Sequence, residues 1–311
     1  MLYETLINEW HHAIVRDVKE TTHARYFNMI ENHIVPDLGQ FEANDLTNTQ
    51  IERYVDYKLE SGNLVNQGGL SHSTVDDILT IVKSSLKYGV QQELVEKDIS
   101  ALNAKMPKGI AVKPIEIFSK RNFKRLIKYL ISNPTSKNIA ILISCVTGAR
   151  IGEVCALQFK HFSFPMETAY IEKTYQRIYE KGKGSRLIMS EPKTKHSIRF
   201  IPIPTEVMKL IKRNFQSLET YIASGTDKPC EPNNLRSYYN RLLKRLRIKH
   251  LKYHCTRHTF ATNSMEIGWD VKALSEVLGH ADVAITLRLY DHPAPAYKRK
   301  MSNKTFNKIL S

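Results

Sequence analysis

Hydrophobic positions recur at helical spacing along most of the chain. "LYETLINEWHHAIV" (2–15), "TTHARYFNMIENHIV" (21–35) and "TNTQIERYVDYKLESG" (47–62) each carry the pattern. The second starts with threonines able to cap a helix and is expected to end before Pro36; the third runs from Thr47 to a stop at Gly62. In "SHSTVDDILTIVKSSLKYGVQQELV" (71–95), Ser71, Ser73 or Thr74 can cap, and Asp76 and Asp77 suit the positive end of the helix dipole. These segments predict a four-helix domain over residues 1–105. "NAKMPKGIAVKPIEIFSK" (103–120) has prolines, a glycine and lysines without a sustained period, so a linker is expected over 106–118.

A second domain, 119–311, resumes with "SKRNFKRLIKYLI", "TSKNIAILISCVTG" and "IGEVCALQF" as helices. "AYIEKTYQRIYEKGKGSRLIMSEPKTKHSIRFIPIP" (169–204) alternates instead, around the turn-forming "EKGKGS", and predicts a small antiparallel sheet. "GKGS" lacks the full phosphate-loop spacing and reads as a hairpin turn. Helices return through "PTEVMKLIKRNFQSLETYI", "EPNNLRSYYNRLLKRLRI", "HCTRHTFATNSMEIG", "VKALSEVLG" and "AITLRLYDH". The fold class is therefore mainly α with a small antiparallel β-sheet.

Charge sharpens this division. The chain of 311 residues carries a net charge of +15. Residues 1–105 hold 9 Lys/Arg against 16 Asp/Glu, a balance of −7; the remaining 206 hold 37 against 15, a balance of +22. The second part has the composition of a polyanion binder. No apolar run approaches the ~20 residues of a membrane span, and "MLYETLINEW" has acids where a signal peptide needs base, so a cytoplasmic protein is expected. Cys145, Cys155, Cys230 and Cys255 lack any C-x-x-C spacing, which predicts reduced thiols and no structural metal.

The candidate chemistry is suited to a phosphodiester. His254 and His258 stand four apart, as zinc-protease histidines do, but Cys255 occupies the place of the required glutamate and Arg257 adds a fixed positive charge. His254 with Arg257 suits an oxyanion better, because a guanidinium presents a planar fork of donors. "VTGARIGEVCAL" puts Arg150 after a glycine turn at a helix start. "EPKTKHSIRFIPIP" sets Lys193 at the edge of a strand or hairpin, and "LGHADVAITLRLYDH" supplies His280 and Tyr290. Singly, each has a plain structural explanation: a surface arginine, a solvated lysine, a tyrosine packed on an amphipathic helix.

Together and in order, "TGARIGEVCAL", "PKTKHSIRFIPIP", "HCTRHTFAT" and "LGHADVAITLRLY" resemble the catalytic domain of the tyrosine recombinase (phage integrase) family over about residues 118–292. "HIVPDLGQFEANDLTNTQIERYV" and "GLSHSTVDDILTIVKSSLKYGV" resemble its SAM-like core-binding domain. The resemblance implies Tyr290 as nucleophile, Arg150 and Arg257 as a paired phosphate clamp, Lys193 as general acid, and His254 and His280 completing the site. Glu153 would orient Arg150, and a neighbouring arginine or Lys195 would help Lys193 by lowering its pKa. Cys255 and Thr256 stand where the family often has Asp and Leu, and neither replaces a reacting group. Tyr297, in the Pro-rich "APAYKRK", is a rival nucleophile less well placed.

The activity so implied is site-specific strand cleavage and rejoining through a covalent 3′-phosphotyrosyl intermediate, for a mobile element. A chromosome-dimer resolvase, a type IB topoisomerase and a non-cleaving DNA-binding protein on the same fold are the alternatives. The expected partners are double-stranded DNA recombination sites, three further copies of the chain in a tetramer on DNA, and accessory DNA-bending or directionality factors. Neither a cofactor, a metal nor a membrane is expected, and the DNA-bound protein would sit on the nucleoid. Family members that bridge distant arm sites carry a further N-terminal domain; residues 1–105 start almost at the core-binding helices, so bridging is not expected. Within the acidic first domain, Lys83 and Lys87 lie four apart on one helix with His72 just before it, and this face is expected to meet DNA.

Overall fold

The structure is a computed structural model that describes residues 1–96, 100–107, 115–192 and 195–288, apart from the side chains of Lys195 and Arg288. By their contacts, residues divide into one unit of Met1–Lys113 with Ile178–Arg186, and a second of Pro114–Arg177 with Leu187–Ser311. Much of the expected linker lies outside the described residues.

The N-terminal part of the first unit is built on helices: α1 (Tyr3–Ala13), α2 (Glu20–Met29), α3 (Val35–Leu38), α4 (Asn48–Ser61) and α5 (His72–Gln91). Their apolar faces meet in a core that includes Leu6, Ile7, Ile30, Ile34, Ile51, Val55, Ile78, Val82 and Leu86. Thr47 and Gln50 form the capping box that opens α4, and Ser71 is the cap that α5 uses. The helix expected to stop before Pro36 does not. A π-helical stretch over Ile30–Ile34 carries the chain on into α3, and Pro36 falls in that helix's first turn. Thr21 and Thr22 do not cap α2 either; Lys19 is its N-cap residue, and its side chain does not cap the helix.

Beyond the linker, α6 (Lys120–Ser132), α7 (Ser136–Thr147) and α8 (Ile151–Ala156) precede β1 (Phe162–Ser163), β2 (Thr168–Ile171), β3 (Thr174–Glu180), β4 (Gly184–Ser190) and β5 (Arg199–Pro202); Ile178–Arg186, which includes the β3-β4 turn, is counted with the first unit and the rest with the second. Then come α9 (Thr205–Arg213), α10 (Pro232–Arg245), α11 (Cys255–Ile267), α12 (Val271–Leu278) and α13 (Val283–Arg288). The expected single sheet is two: an antiparallel β1-β2-β5 sheet and a β3-β4 hairpin. Gly182 and Gly184, both at positive φ, turn that hairpin at "GKGS". Helix α7 is buried on nearly every side and centres the core, which explains its unbroken apolar run. All four cysteines are free and buried. No described helix is long and apolar enough to cross a membrane.

Candidate active site

Three separate chain segments converge in the second unit. The first follows α7, whose C-cap Gly148 is left-handed at φ 69°; a Cβ there would lie 2.6 Å from Leu278 and 2.8 Å from Phe260. This turn places Arg150 at the N-cap of α8. Glu153, one turn on, accepts from the Arg150 backbone N–H at 2.8 Å and from its Nη1 at 2.7 Å. Arg150 Nη2 also donates to the Gly279 carbonyl at 3.3 Å.

The second segment is α11, with His254 at its N-cap rather than within the helix. Cys255, Thr256, Arg257 and Thr259 are all buried, so polar groups here are enclosed rather than solvated. Tyr253 and Thr259 pin this segment: the Tyr253 hydroxyl pairs with Ser144 at 2.9 Å, and Thr259 Oγ1 accepts from the Phe118 N–H. Arg257 Nη1 donates to the Gly148 carbonyl at 2.9 Å, while its buried Nη2 has no hydrogen-bond partner among the described residues. Burial and the neighbouring Arg150 push the Arg257 guanidinium down to about 9, so it remains charged at neutral pH.

The third is the α12–α13 turn. Gly279, left-handed at φ 67°, is followed by His280, whose Nδ1 pairs with the buried Thr286 Oγ1 at 2.8 Å. Burial, then Arg257, Arg150 and Arg199, drives the His280 imidazole down to about 3. Partial burial and His258, Arg257 and Arg150 take His254 to about 4, although its residue surface is open to solvent. Both rings are therefore neutral at pH 7.

A ring titration follows from this. In ligand-free protein the His280 resonances should not titrate between pH 8 and 5. Orthovanadate, an oxyanion able to offset the arginines, should raise the midpoint; an ordinary midpoint near 6.5 without oxyanion would contradict the described surroundings. The linkage has the corresponding sign. The unfolded chain takes up a proton near 6.5 that folded His280 refuses, so stability declines as pH falls from about 6.5 towards about 3.

Of the residues expected from sequence, Arg150, Glu153, His254, Arg257 and His280 come together. Lys193, Tyr290 and Tyr297 lie outside the described residues. Lys195 opens a short 3₁₀ turn, Lys195–Ser197. His72, Lys83 and Lys87 sit on α5 in the first unit; Lys87 is exposed, the other two are half-buried, and helical spacing puts Asp76 on the same face.

Sequence reasoning gave no place to Arg199. It starts β5, is buried, and donates Nη1 to Glu153 Oε1 (3.2 Å) and Nη2 to Glu153 Oε2 (3.0 Å). Its Nε reaches the Val277 carbonyl at 2.6 Å and its Nη1 the Ser197 carbonyl at 2.9 Å. Burial would raise the Glu153 carboxyl, but Arg199 and Arg150 together hold it below the usual range.

Residues 116–296 match the model of the phage integrase family, and residues 2–59 match the N-terminal SAM-like domain of phage integrases. The chain belongs to the phage integrase family. It is a tyrosine-type site-specific DNA recombinase. A "Tyrosine recombinase XerC-like" protein from Caldanaerobacter subterraneus is 27% identical over 94% of this chain and 80% of its own length. The ICEBs1 integrase of Bacillus subtilis is 22% identical over 97% and 82%. In fold, this integrase-family chain is similar to a Tn1549 transposon integrase solved with a circular intermediate DNA, with a TM-score of 0.75 at 20% identity, covering 98% of this chain and 99% of that one.

Proposed function

We propose that this recombinase serves a mobile element and cuts DNA by attack of Tyr290 on a phosphodiester held between Arg150 and Arg257. The observation that carries this reading is the buried Arg257 Nη2, a charged donor without an acceptor among the described residues, beside the part-exposed guanidinium of Arg150. A buried cation in that condition costs stability unless an anion completes it, and a phosphodiester offers two non-bridging oxygens to two guanidiniums. Similarity to the ICEBs1 and Tn1549 proteins supports the mobile-element role.

In the proposed step the Tyr290 oxygen bonds to phosphorus, the P–O5′ bond breaks, and the 5′ oxygen leaves with a proton from Lys193. Neutral His254 is the acceptor for the tyrosine proton, which a phenol of pKa ~10 does not shed unaided. The 3′-phosphotyrosine conserves the bond energy, so rejoining needs no ATP. Exchange between two duplex sites breaks four strands, one nucleophile each, which favours a tetramer on DNA. Such a protein works in the cytoplasm, on the nucleoid when DNA-bound, and accessory DNA-bending or directionality factors would act with it there. His72, Lys83, Lys87 and Lys195 are the proposed DNA contacts beyond the clamp.

A nicked substrate that loses its 5′ fragment on cleavage provides the test. A protein–DNA adduct should accumulate in excess EDTA, because two guanidiniums supply the charge neutralisation; an adduct that forms only with added magnesium would contradict the clamp. With sulfur at the 5′ bridging position, Lys193→Ala should cleave nearly as fast as wild type, since a thiolate leaves without protonation. An equal defect on oxygen and sulfur substrates would remove Lys193 from that role and point to Lys195.

A further inference from the structure

The Glu153 carboxylate is fully used. Oε1 accepts from Arg150 Nη1 and Arg199 Nη1, Oε2 from the Arg150 N–H and Arg199 Nη2. The side chains of Glu153 and Arg199 are 2% and 6% exposed, whereas that of Arg150 is 37% exposed, so the inner pair is enclosed and Arg150 faces the open site. Arg199 also grips two other strands of chain. Its Nη1 holds the Ser197 carbonyl, on the segment that leads from Lys193 into β5, and its Nε holds the Val277 carbonyl at the end of α12. The guanidinium packs so closely on Gly279 that a Cβ there would lie 2.9 Å from Nη1. One side chain thus joins the anchors of Arg150 and His280 to the segment following Lys193.

We infer that Arg199 is a positioning residue for strand cleavage: it balances Glu153, so that Glu153 can fix Arg150 without cancelling the positive charge of the phosphate clamp. The electrostatics decide between this and simple packing. Arg150, Arg199 and Arg257 with Glu153 leave a formal charge of +2, which matches the two negative charges of the phosphoryl group in the transition state, one more than the diester carries at rest. Without Arg199 the same group would carry +1, and Glu153 would draw the Arg150 fork onto itself. The inference rests on the proposed cleavage reaction.

The test uses the full chain, with single-turnover adduct formation at saturating DNA, DNA affinity and thermal melting measured for each variant. Arg199→Gln should keep DNA affinity within a few-fold and lose about 10²-fold in adduct rate, the scale of removing one charge-stabilising group. Arg199→Lys, which restores charge but not the fork, should recover part of that loss. The double variant Arg199→Gln/Glu153→Gln should be no slower than Arg199→Gln, because both changes act through one carboxylate. A pH profile separates this role from a structural one. Glu153 faces Arg150 from its own helix, Arg199 from β5, and Arg257 and His254 from α11. Deprived of Arg199 it should protonate at higher pH, so Arg199→Gln should acquire an acid-side fall in rate that the double variant lacks. Should Arg199→Gln not fold, Arg199→Lys with unchanged melting and a reduced rate carries the same prediction. Wild-type rates in Arg199→Gln, or losses that multiply in the double variant, would overturn the inference. A wild-type protein that forms no adduct would refute the cleavage reading itself, and this role with it.

Discussion

Tyr290→Phe should leave DNA binding unchanged and lower adduct formation by about 10⁴- to 10⁶-fold, the scale on which removal of an enzyme's nucleophile acts. The change removes one oxygen and keeps the ring, so packing and charge are preserved and only the attacking atom is lost. Tyr297→Phe is the paired control and should cleave like wild type. Gel-shift affinity and denaturing-gel adduct yield measure the two properties separately. Adduct persisting in Tyr290→Phe and vanishing in Tyr297→Phe would transfer the nucleophile to the later tyrosine.

Arg257→Met should separate stability from activity in the opposite sense to a core substitution. Removing the guanidinium frees the protein from holding a buried cation, a cost of several kcal/mol in an enclosed site, and relieves its repulsion with Arg150. The change leaves the Gly148 carbonyl without its donor, which costs roughly 1–3 kcal/mol. The first effect is the larger, so the melting temperature should hold or rise. Adduct formation should fall by about 10²–10³-fold, since the lost donor acts on charge that develops in the transition state. A variant that melts well below wild type yet cleaves at an undiminished rate would make Arg257 a structural residue.

The helices were legible because their signals are local. Thr47, Ser71, Ser119, Thr135 and Asp270 each cap the helix they precede, with a side-chain bond to the backbone N–H three residues on. Pro36 misled because a proline at the start of a new helix and one that stops an old helix look alike until the π-helical stretch between them is seen. The two sheets read as one because strand pairing is non-local: β5 returns to β2 across the whole β3-β4 hairpin.

The site divides along the same line. Arg150, Glu153, His254, Arg257 and His280 sit in short motifs whose order carried the family resemblance, and the structure gathers them. Lys193 and Tyr290 rest on that resemblance. Arg199 was missed although a signal existed. In "SIRFIPIP" it shares strand parity with Ile201 and Ile203, both buried, so alternation alone turns a charged side chain toward the interior. Its partners on α8 and α12 lie 46 and 78 positions away, beyond the reach of any local pattern.

In the proposed reaction a clamp of Arg150 and Arg257 presents a DNA phosphate to Tyr290. Digesting the trapped adduct with protease and nuclease, then sequencing the nucleotide-bearing peptide by mass spectrometry, tests it most directly. A single modified residue is expected, Tyr290, joined to a 3′-phosphate, with a free 5′-hydroxyl on the released strand. Modification at Tyr297, a linkage to a 5′-phosphate, or cleaved DNA with no protein attached would contradict it.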